Sequence, residues 1–113
     1  MTVEEFKTKL KTNPSKIVFA ETVQIIEDNY SFTPTAFTNG EIKNNLGENL
    51  GSCKLLAFAM HQQFTKEETL NCFGEHYQNV LSDENGTSHQ NIRNFIKTGF
   101  EGLSFQGKVL KSK

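Results

Sequence analysis

The strongest constraint on the fold is a stripe of apolar residues in the segment 16–30. The stripe consists of Phe19, Val23, Ile26 and Tyr30. Each member follows the previous one after three or four residues. Residues at this spacing lie on one face of an α-helix. The stripe therefore predicts a helix from about Lys16 to Tyr30 that packs at the centre of the fold.

The apolar residues of the chain are few but large. Hydrophobic residues make up only 35% of the sequence, yet ten of its 113 residues are Phe and none is Trp. A Phe side chain buries a large area when it enters a core. We therefore expect a small core rich in aromatic rings. At this length we expect one domain that spans residues 1–113.

Local signals predict four further helices. Two capping boxes begin at Thr2 and Thr65, each with a Glu three residues later, and they predict helices to about Lys11 and Leu81. Gly74 indicates close packing or a break within the second of these. Ser52 is suited to cap a helix from Cys53 to about Gln63, and Thr87 or Ser88 one that ends near Thr98.

The remaining segments predict a small sheet. Residues 32–38 are suited to an extended conformation, and Leu103–Gln106 alternates as a strand does. We expect residues 33–37 to pair with 103–106, residues 41–51 to form a long loop, and the end of the chain after Gly107 to fray. The fold class is α+β: mainly helical, four to five helices, with a two- or three-stranded antiparallel sheet.

Charge and cysteine content exclude several classes of protein. The formal net charge is −1, whereas a general nucleic-acid binder needs a basic face. No apolar run approaches the roughly 20 residues of a spanning helix, and the first residues lack the apolar core of a secretory signal. Two cysteines are too few for a disulfide scaffold. We expect a cytoplasmic protein that binds neither nucleic acid nor membrane; the sequence leaves its oligomeric state open.

Two polar blocks, residues 39–54 and 88–93, hold more amides and cations than a compact fold requires. The residues that we expect to bind a ligand are Asn39, Asn49, Ser52, Lys54, Gln90, Asn91 and Arg93. Lys54 and Arg93 could together bind a carboxylate or phosphate, helped by open N–H groups at two helix starts. The alternatives are that the amides serve turns and caps and that Arg93 pairs with a nearby carboxylate.

Cys53 and His89 suggest a second, catalytic hypothesis. Cys53 lies in the first turn of a predicted helix beside Lys54, and both features favour a thiolate with a lowered pKa. His89, also at a helix start, is the best available base. The alternative is that Cys53 is a small core residue. Cys72 and His76 are four residues apart, but two ligands do not make a zinc site, so we expect no metal and no cofactor.

Ordered blocks of this sequence resemble the HopJ family. They are Phe19–Thr22, Tyr30–Gly40, Asn49–Lys54, Cys72–Gly74 and His89–Phe95. The resemblance covers roughly residues 16–106, with Gly99-Phe100 in place of the family's common Gly-Trp. The family takes its name from a type III effector of plant-pathogenic bacteria, so the resemblance implies a bacterial protein that could be secreted. It implies no established reaction or ligand.

Together these observations predict a small HopJ-like protein that binds a small polar or peptidic ligand. The site would combine the 39–54 loop with the start of the 88–98 helix. One alternative is a cysteine-dependent hydrolase or transferase that uses Cys53 and His89. Another is a secreted effector that acts on a host protein.

Overall fold

The computed structural model describes all residues from Met1 to Lys113 and has an α+β architecture. It contains six α-helices, one more than the four to five that the sequence predicted. The helices are α1 (Val3–Thr12), α2 (Phe19–Asn29), α3 (Leu50–Gln62), α4 (Lys66–Cys72), α5 (Glu75–Ser82) and α6 (Gln90–Thr98). The strands are β1 (Tyr30–Phe32), β2 (Phe37–Asn39), β3 (Ile42–Asn44), β4 (Leu103–Phe105) and β5 (Leu110–Ser112). No helix has the length and hydrophobicity that crossing a membrane requires.

Both predicted capping boxes are present. The Thr2 hydroxyl accepts the N–H of Glu5 at 3.1 Å, and the Glu5 carboxylate accepts the N–H of Thr2 at 2.8 Å. Thr65 and Glu68 repeat the pattern at the start of α4. Each pair satisfies two donors that a helix start otherwise leaves free. These two helix starts are therefore encoded locally, by four residues each.

The central helix α2 begins at Phe19, three residues later than predicted. A short 3-10 turn occupies Pro14–Lys16, and Val18 is extended before the helix starts. Of the predicted stripe, Ile26 and Tyr30 are buried while Val23 is only partly covered. The helix is central as expected, and its inward face is rotated slightly towards Thr22.

The helix predicted from Thr65 to Leu81 is two helices. Gly74 separates α4 from α5 with φ +58° and ψ −126°, a conformation that essentially only glycine adopts. A Cβ at this position would lie 2.6 Å from the backbone N of Phe19. Both consequences considered for Gly74, a break and close packing, are thus present.

Two small antiparallel sheets connect the helices. One has the strand order β3-β2-β4 and the other pairs β1 with β5. The predicted partner segments do pair, but β2 begins only at Phe37, which lies opposite Phe105. Two predictions were wrong: part of the expected 41–51 loop is β3, and the expected frayed end is β5. Val109 and Leu110 are buried, and this burial holds the end of the chain in place.

The core is aromatic, as the Phe content predicted. Four of its largest fully buried side chains are Phe6, Phe37, Phe58 and Phe95. Phe58 packs edge-on against Phe6, Tyr30 and Phe64, with ring centroids 5.7 to 6.2 Å apart. Edge-on contacts of this kind add to the energy of apolar burial. The core lies between the helices and the two sheets, and it brings the starts of α3 and α6 to the same face.

Candidate functional site

The two polar blocks meet in space around a cavity of about 500 Å³. The 39–54 block lines it with Ile42, Asn49, Gly51 and Ser52, and the 88–93 block with His89, Gln90, Asn91 and Ile92. Phe19, Phe73 and His76 complete the wall. Of the predicted ligand-binding residues, the structure therefore places Asn49, Ser52, Gln90 and Asn91 together, with His89 beside them.

A network of buried amides holds the two blocks against each other. The Asn39 amide donates to the Asn91 carbonyl at 2.7 Å and to the Asn91 side-chain oxygen at 3.0 Å. Asn44 both donates to Asn91, at 3.2 Å, and accepts from it, at 3.0 Å. Asn49 donates to Asn44 at 2.7 Å. These bonds join the β2–β3 hairpin to the start of α6, which accounts for much of the amide excess in the sequence.

Asn39 itself does not line the cavity. Its side chain is fully buried, and its Oδ1 has no hydrogen-bond partner. Because both of its donor contacts go to Asn91, Asn39 positions the start of α6. The prediction that it binds a ligand stays a prediction.

The starts of α3 and α6 share an unusual geometry. Their N-cap residues, Asn49 and His89, have φ of +49° and +52°, whereas N-cap residues are usually extended. Neither side chain caps its helix. The backbone N–H groups of residues 50–52 in α3, and of Gln90 and Asn91 in α6, have no partner within the protein. Both helices thus present free donors at the end that borders the cavity.

Ser52 does not cap α3, contrary to the prediction. The helix begins at Leu50, three residues before the predicted first residue Cys53, so Ser52 lies inside the first turn. Its hydroxyl is therefore not engaged as a cap, and the residue lines the cavity instead.

His76 is the site residue that the sequence did not reveal. Its ring centroid lies 5.0 Å from that of His89 and 4.9 Å from that of Phe19. Sequence spacing paired His76 with Cys72 instead, because both lie four apart in a predicted helix. Only the break at Gly74 and the packing of α5 against α6 bring His76 to the cavity. The only relevant signal in the sequence was Gly74, which indicated a break in the helix. It did not indicate which residues His76 would contact after that break.

The walls of the cavity carry no Asp, Glu, Lys or Arg, so the two imidazoles are its titratable side chains. Burial lowers the pKa of His89, and the neighbouring His76 and Arg93 lower it further. Nearby, Glu75 accepts the N–H of Phe19 at 2.7 Å, and this bond lowers the pKa of the Glu75 carboxyl. The start of α2 is thus satisfied by a carboxylate, whereas the starts of α3 and α6 are not.

Cys53 does not have the environment of an activated thiol. The residue is fully buried, and its Sγ lies 3.9 Å from the carbonyl oxygen of Thr35. Burial raises the pKa of the thiol, so the expected lowering was wrong. The favourable effect of a helix start is outweighed by removal of the charged form from water. Cys53 does not line the cavity that contains His89.

Lys54 and Arg93 are not neighbours, so they do not form the expected joint anion site. Lys54 pairs with Glu27 at 3.1 Å and lies over the ring of Phe32 at 4.8 Å. Arg93 donates to the backbone carbonyls of Asp83 at 2.9 Å and Ser88 at 2.5 Å. Arg93 thereby organises the loop before α6. It also lines a second cavity of about 420 Å³, which shares Gln90 with the first.

Comparison with known proteins places this chain within a family. The family model described as HopJ type III effector protein matches residues 3–110. A crystal structure of a protein of unknown function, VPA0580, is 47% identical, with a TM-score of 0.97; the match covers 100% of this chain and 95% of that one. No curated protein matches significantly. The resemblance carried by the sequence blocks is thus confirmed: the chain belongs to the HopJ type III effector protein family.

Proposed function

We propose that the protein is a ligand-binding module whose site is the cavity between the starts of α3 and α6. The observation that carries the proposal is the convergence of two uncapped helix starts on one cavity of about 500 Å³. Cavities of this size suit small molecules, and polar groups that converge on the cavity orient them. The ligand is small and polar, or a short peptidic segment.

Several polar groups at the two helix starts have a role in this proposal. The free N–H groups of the first turns of α3 and α6 donate to acceptor atoms of the ligand. The Ser52 hydroxyl and the Gln90 amide lie at the same helix starts and add side-chain hydrogen bonds. The Asn39–Asn44–Asn91 network fixes the distance between the two helix starts, so the site is formed before the ligand arrives and little ordering entropy is lost on binding.

Backbone conformation supports the same assignment. Three non-glycine residues have positive φ, and two of them are Asn49 and His89 at the two helix starts. Left-handed backbone costs about 1 kcal/mol or more for a residue other than glycine, and such strain concentrates at functional sites. The left-handed N-caps have a direct consequence here, because they leave the helix starts open.

The test is a thermal-shift screen of a metabolite panel with matched cavity and control variants. Ser52→Leu fills the cavity, whereas Ser82→Leu changes an exposed serine on α5, away from its wall. We expect hits that stabilise the wild type and Ser82→Leu but not Ser52→Leu. A ligand at 100 times its Kd stabilises by about 2.7 kcal/mol, which such a screen detects. Hits that stabilise both variants equally would place binding elsewhere and refute this site.

The family description favours a second candidate, an effector that is exported and acts on a host protein. A reporter enzyme fused behind the first residues of the chain tests it in a strain with a functional type III system. Reporter translocation that depends on the secretion apparatus supports export. Retention of the reporter, with a known effector exported in parallel, leaves the ligand-binding module in the cytoplasm.

A further inference from the structure

We propose that the protein has a second binding surface, an apolar groove centred on Met60, which docks an extended acidic segment of a partner protein. The groove is separate from the cavity between α3 and α6, and the two share no lining residue. It lies between the C-terminal half of α3, the 3-10 turn before β4 and the residues from Phe105 to Leu110. The partner segment carries apolar side chains that alternate with Asp or Glu.

The groove consists of two adjoining hollows that share Met60 as a wall. The first hollow has a volume of about 280 Å³, and its apolar lining residues besides Met60 are Ala57, Phe105, Val109 and Leu110. The second has a volume of about 330 Å³ and is lined besides Met60 by Ala59, Gln63, Phe64 and Phe100. Met60 is 45% exposed. A contiguous apolar surface of this kind marks an interaction site, and a flexible thioether adapts to the side chains of a partner.

The first hollow borders an open edge of the sheet. β4 is the last strand of the β3-β2-β4 sheet. The carbonyl of Gly102 accepts the N–H of Gly40 at 2.9 Å, and the N–H of Gln106 donates to the carbonyl of Ala36 at 3.0 Å. Because alternate residues of an antiparallel strand bond to the same neighbour, the N–H and C=O of Phe105 point away from β2. Neither has a partner within the protein, so an extended peptide can pair with this edge and place alternate side chains in the groove.

The charge around the groove favours an acidic partner. The segments α3 and 102–113 contain four Lys and no Asp or Glu, although the whole chain has 13 acidic and 12 basic residues. Three of these lysines, Lys108, Lys111 and Lys113, make no ion pair within the protein. Lys108 lines the first hollow, whereas Glu101 follows Phe100 of the second. Interfaces pair positive with negative patches, so we expect the acidic residues of the partner to lie over the first hollow.

The same charge disfavours a second copy of this chain as the occupant. In a two-fold dimer the same patch of each copy faces the other. The unpaired lysines at the groove of one copy would then meet those of the other, and like charges brought together across an interface cost binding energy. A segment from a different, acidic protein relieves this repulsion and covers the apolar surface at the same time.

A library of random peptides displayed on phage and selected against the full chain is the probe. We expect the enriched peptides to alternate apolar residues with Asp or Glu, and their synthetic forms to bind more weakly as salt is added. Met60→Glu places a carboxylate in the groove and should weaken this binding by about tenfold or more. Leu81→Glu is the matched control, because Leu81 is 50% exposed and also lies in the last turn of its helix. It should leave the affinity unchanged.

Two further measurements keep the inference open to refutation if Met60→Glu does not fold. Lys108→Glu removes no apolar contact from the partner, and it should weaken binding and reduce its dependence on salt. Hydrogen exchange reports the strand pairing: bound peptide should slow exchange at the N–H of Phe105. The N–H of Ser104, which the alternation directs towards β2, is the internal control.

The outcomes separate this inference from the proposed function. Enrichment of basic peptides, enrichment of none, or binding that survives both Met60→Glu and Lys108→Glu would overturn the groove. Unchanged exchange at Phe105 would overturn the extended, strand-paired mode. A dimer in sedimentation experiments that Met60→Glu dissociates would make a second copy the occupant and refute the acidic partner. Ser52→Leu should bind the peptides as the wild type does, so this result does not depend on the cavity between α3 and α6.

Discussion

Gly74 shows how a single residue without a side chain positions the site. Its backbone approaches Phe19 and Ile17 so closely that a Cβ would lie 2.6 Å from one backbone N and 2.8 Å from a carbonyl oxygen. This approach brings the start of α5, and with it His76, against the start of α2.

Gly74→Ala should destabilise the protein by about 3 kcal/mol or more, because the new methyl group collides with the backbone of residues 17–19 and the residue's own backbone conformation is strained as well. Gly47→Ala is the matched control: its φ is +90°, but a Cβ there has nothing within 4 Å. We expect a cost of about 1 kcal/mol from the backbone alone. Chemical denaturation measures both; equal losses would show that the close approach is not responsible.

Alkylation distinguishes the two interpretations of Cys53. Burial excludes the reagent and raises the pKa of the thiol, so iodoacetamide at neutral pH should label Cys53 at least about a hundredfold more slowly than a free cysteine peptide. Cys72 is equally buried and serves as the internal control. Mass spectrometry after a time course gives both rates. Rapid labelling of Cys53 alone would support the hypothesis of a cysteine-dependent enzyme, which stays an untested prediction.

At the scale of elements, the site depends on the junction between the β2–β3 hairpin and α6. Asn39, Asn44 and Asn91 come from three different elements and are joined by hydrogen bonds in a buried place. Buried amides are costly when unpaired. The network therefore fixes where α6 begins, and with it the position of His89 and Gln90 relative to the start of α3.

Asn91→Ala should cost about 1–3 kcal/mol of stability, because the Asn39 and Asn44 amides lose buried partners. It should also weaken ligand binding, since the two helix starts are no longer held at a fixed distance. Asn79→Ala, at an exposed position on α5, is the control and should change stability by less than about 0.5 kcal/mol. Denaturation curves for the two variants decide; a similar small change in both would mean that the network contributes little.

At the scale of the whole molecule, the titration of a few groups predicts how stability depends on pH. The pKa of His89 is lowered by burial from an ordinary value of about 6.5, so the folded state favours its neutral form. This contribution is complete above the ordinary value and is lost as the pH falls below it. The pKa of Glu75 is lowered by the Phe19 N–H, so its contribution is lost at lower pH, below about 4.5.

We therefore expect the free energy of unfolding to fall in two stages on acidification, the first beginning near about pH 6.5 and the second below about pH 4.5. His89→Asn should remove the first stage. Gln90→Asn, which changes the neighbouring residue without removing a titratable group, should keep it. Urea denaturation at a series of pH values, without added anions, measures the effect. An unchanged first stage in His89→Asn would assign it to other groups.

How much the sequence predicts depends on the range of the interaction concerned. Thr2 with Glu5, and Thr65 with Glu68, act over three residues, so both helix starts followed from the chain alone. The sequence predicted that residues 33–37 pair with 103–106, and in the structure Phe37–Asn39 pairs with Leu103–Phe105. The register was not predicted, because it depends on the fit of Phe37 against Phe105 in the folded protein.

By itself the sequence determined the α+β class, the aromatic core, the family and the two polar blocks that line one cavity. These properties rest on residue spacing and composition, which act locally or sum over the whole chain. Only the tertiary structure decided which side chains of the blocks face the cavity. Cys53, Lys54 and Arg93 point to partners elsewhere, while His76 joins from a helix that no pattern connected to His89. The physical reason is that a side chain's surroundings are set by packing between distant segments, and no local spacing encodes that packing.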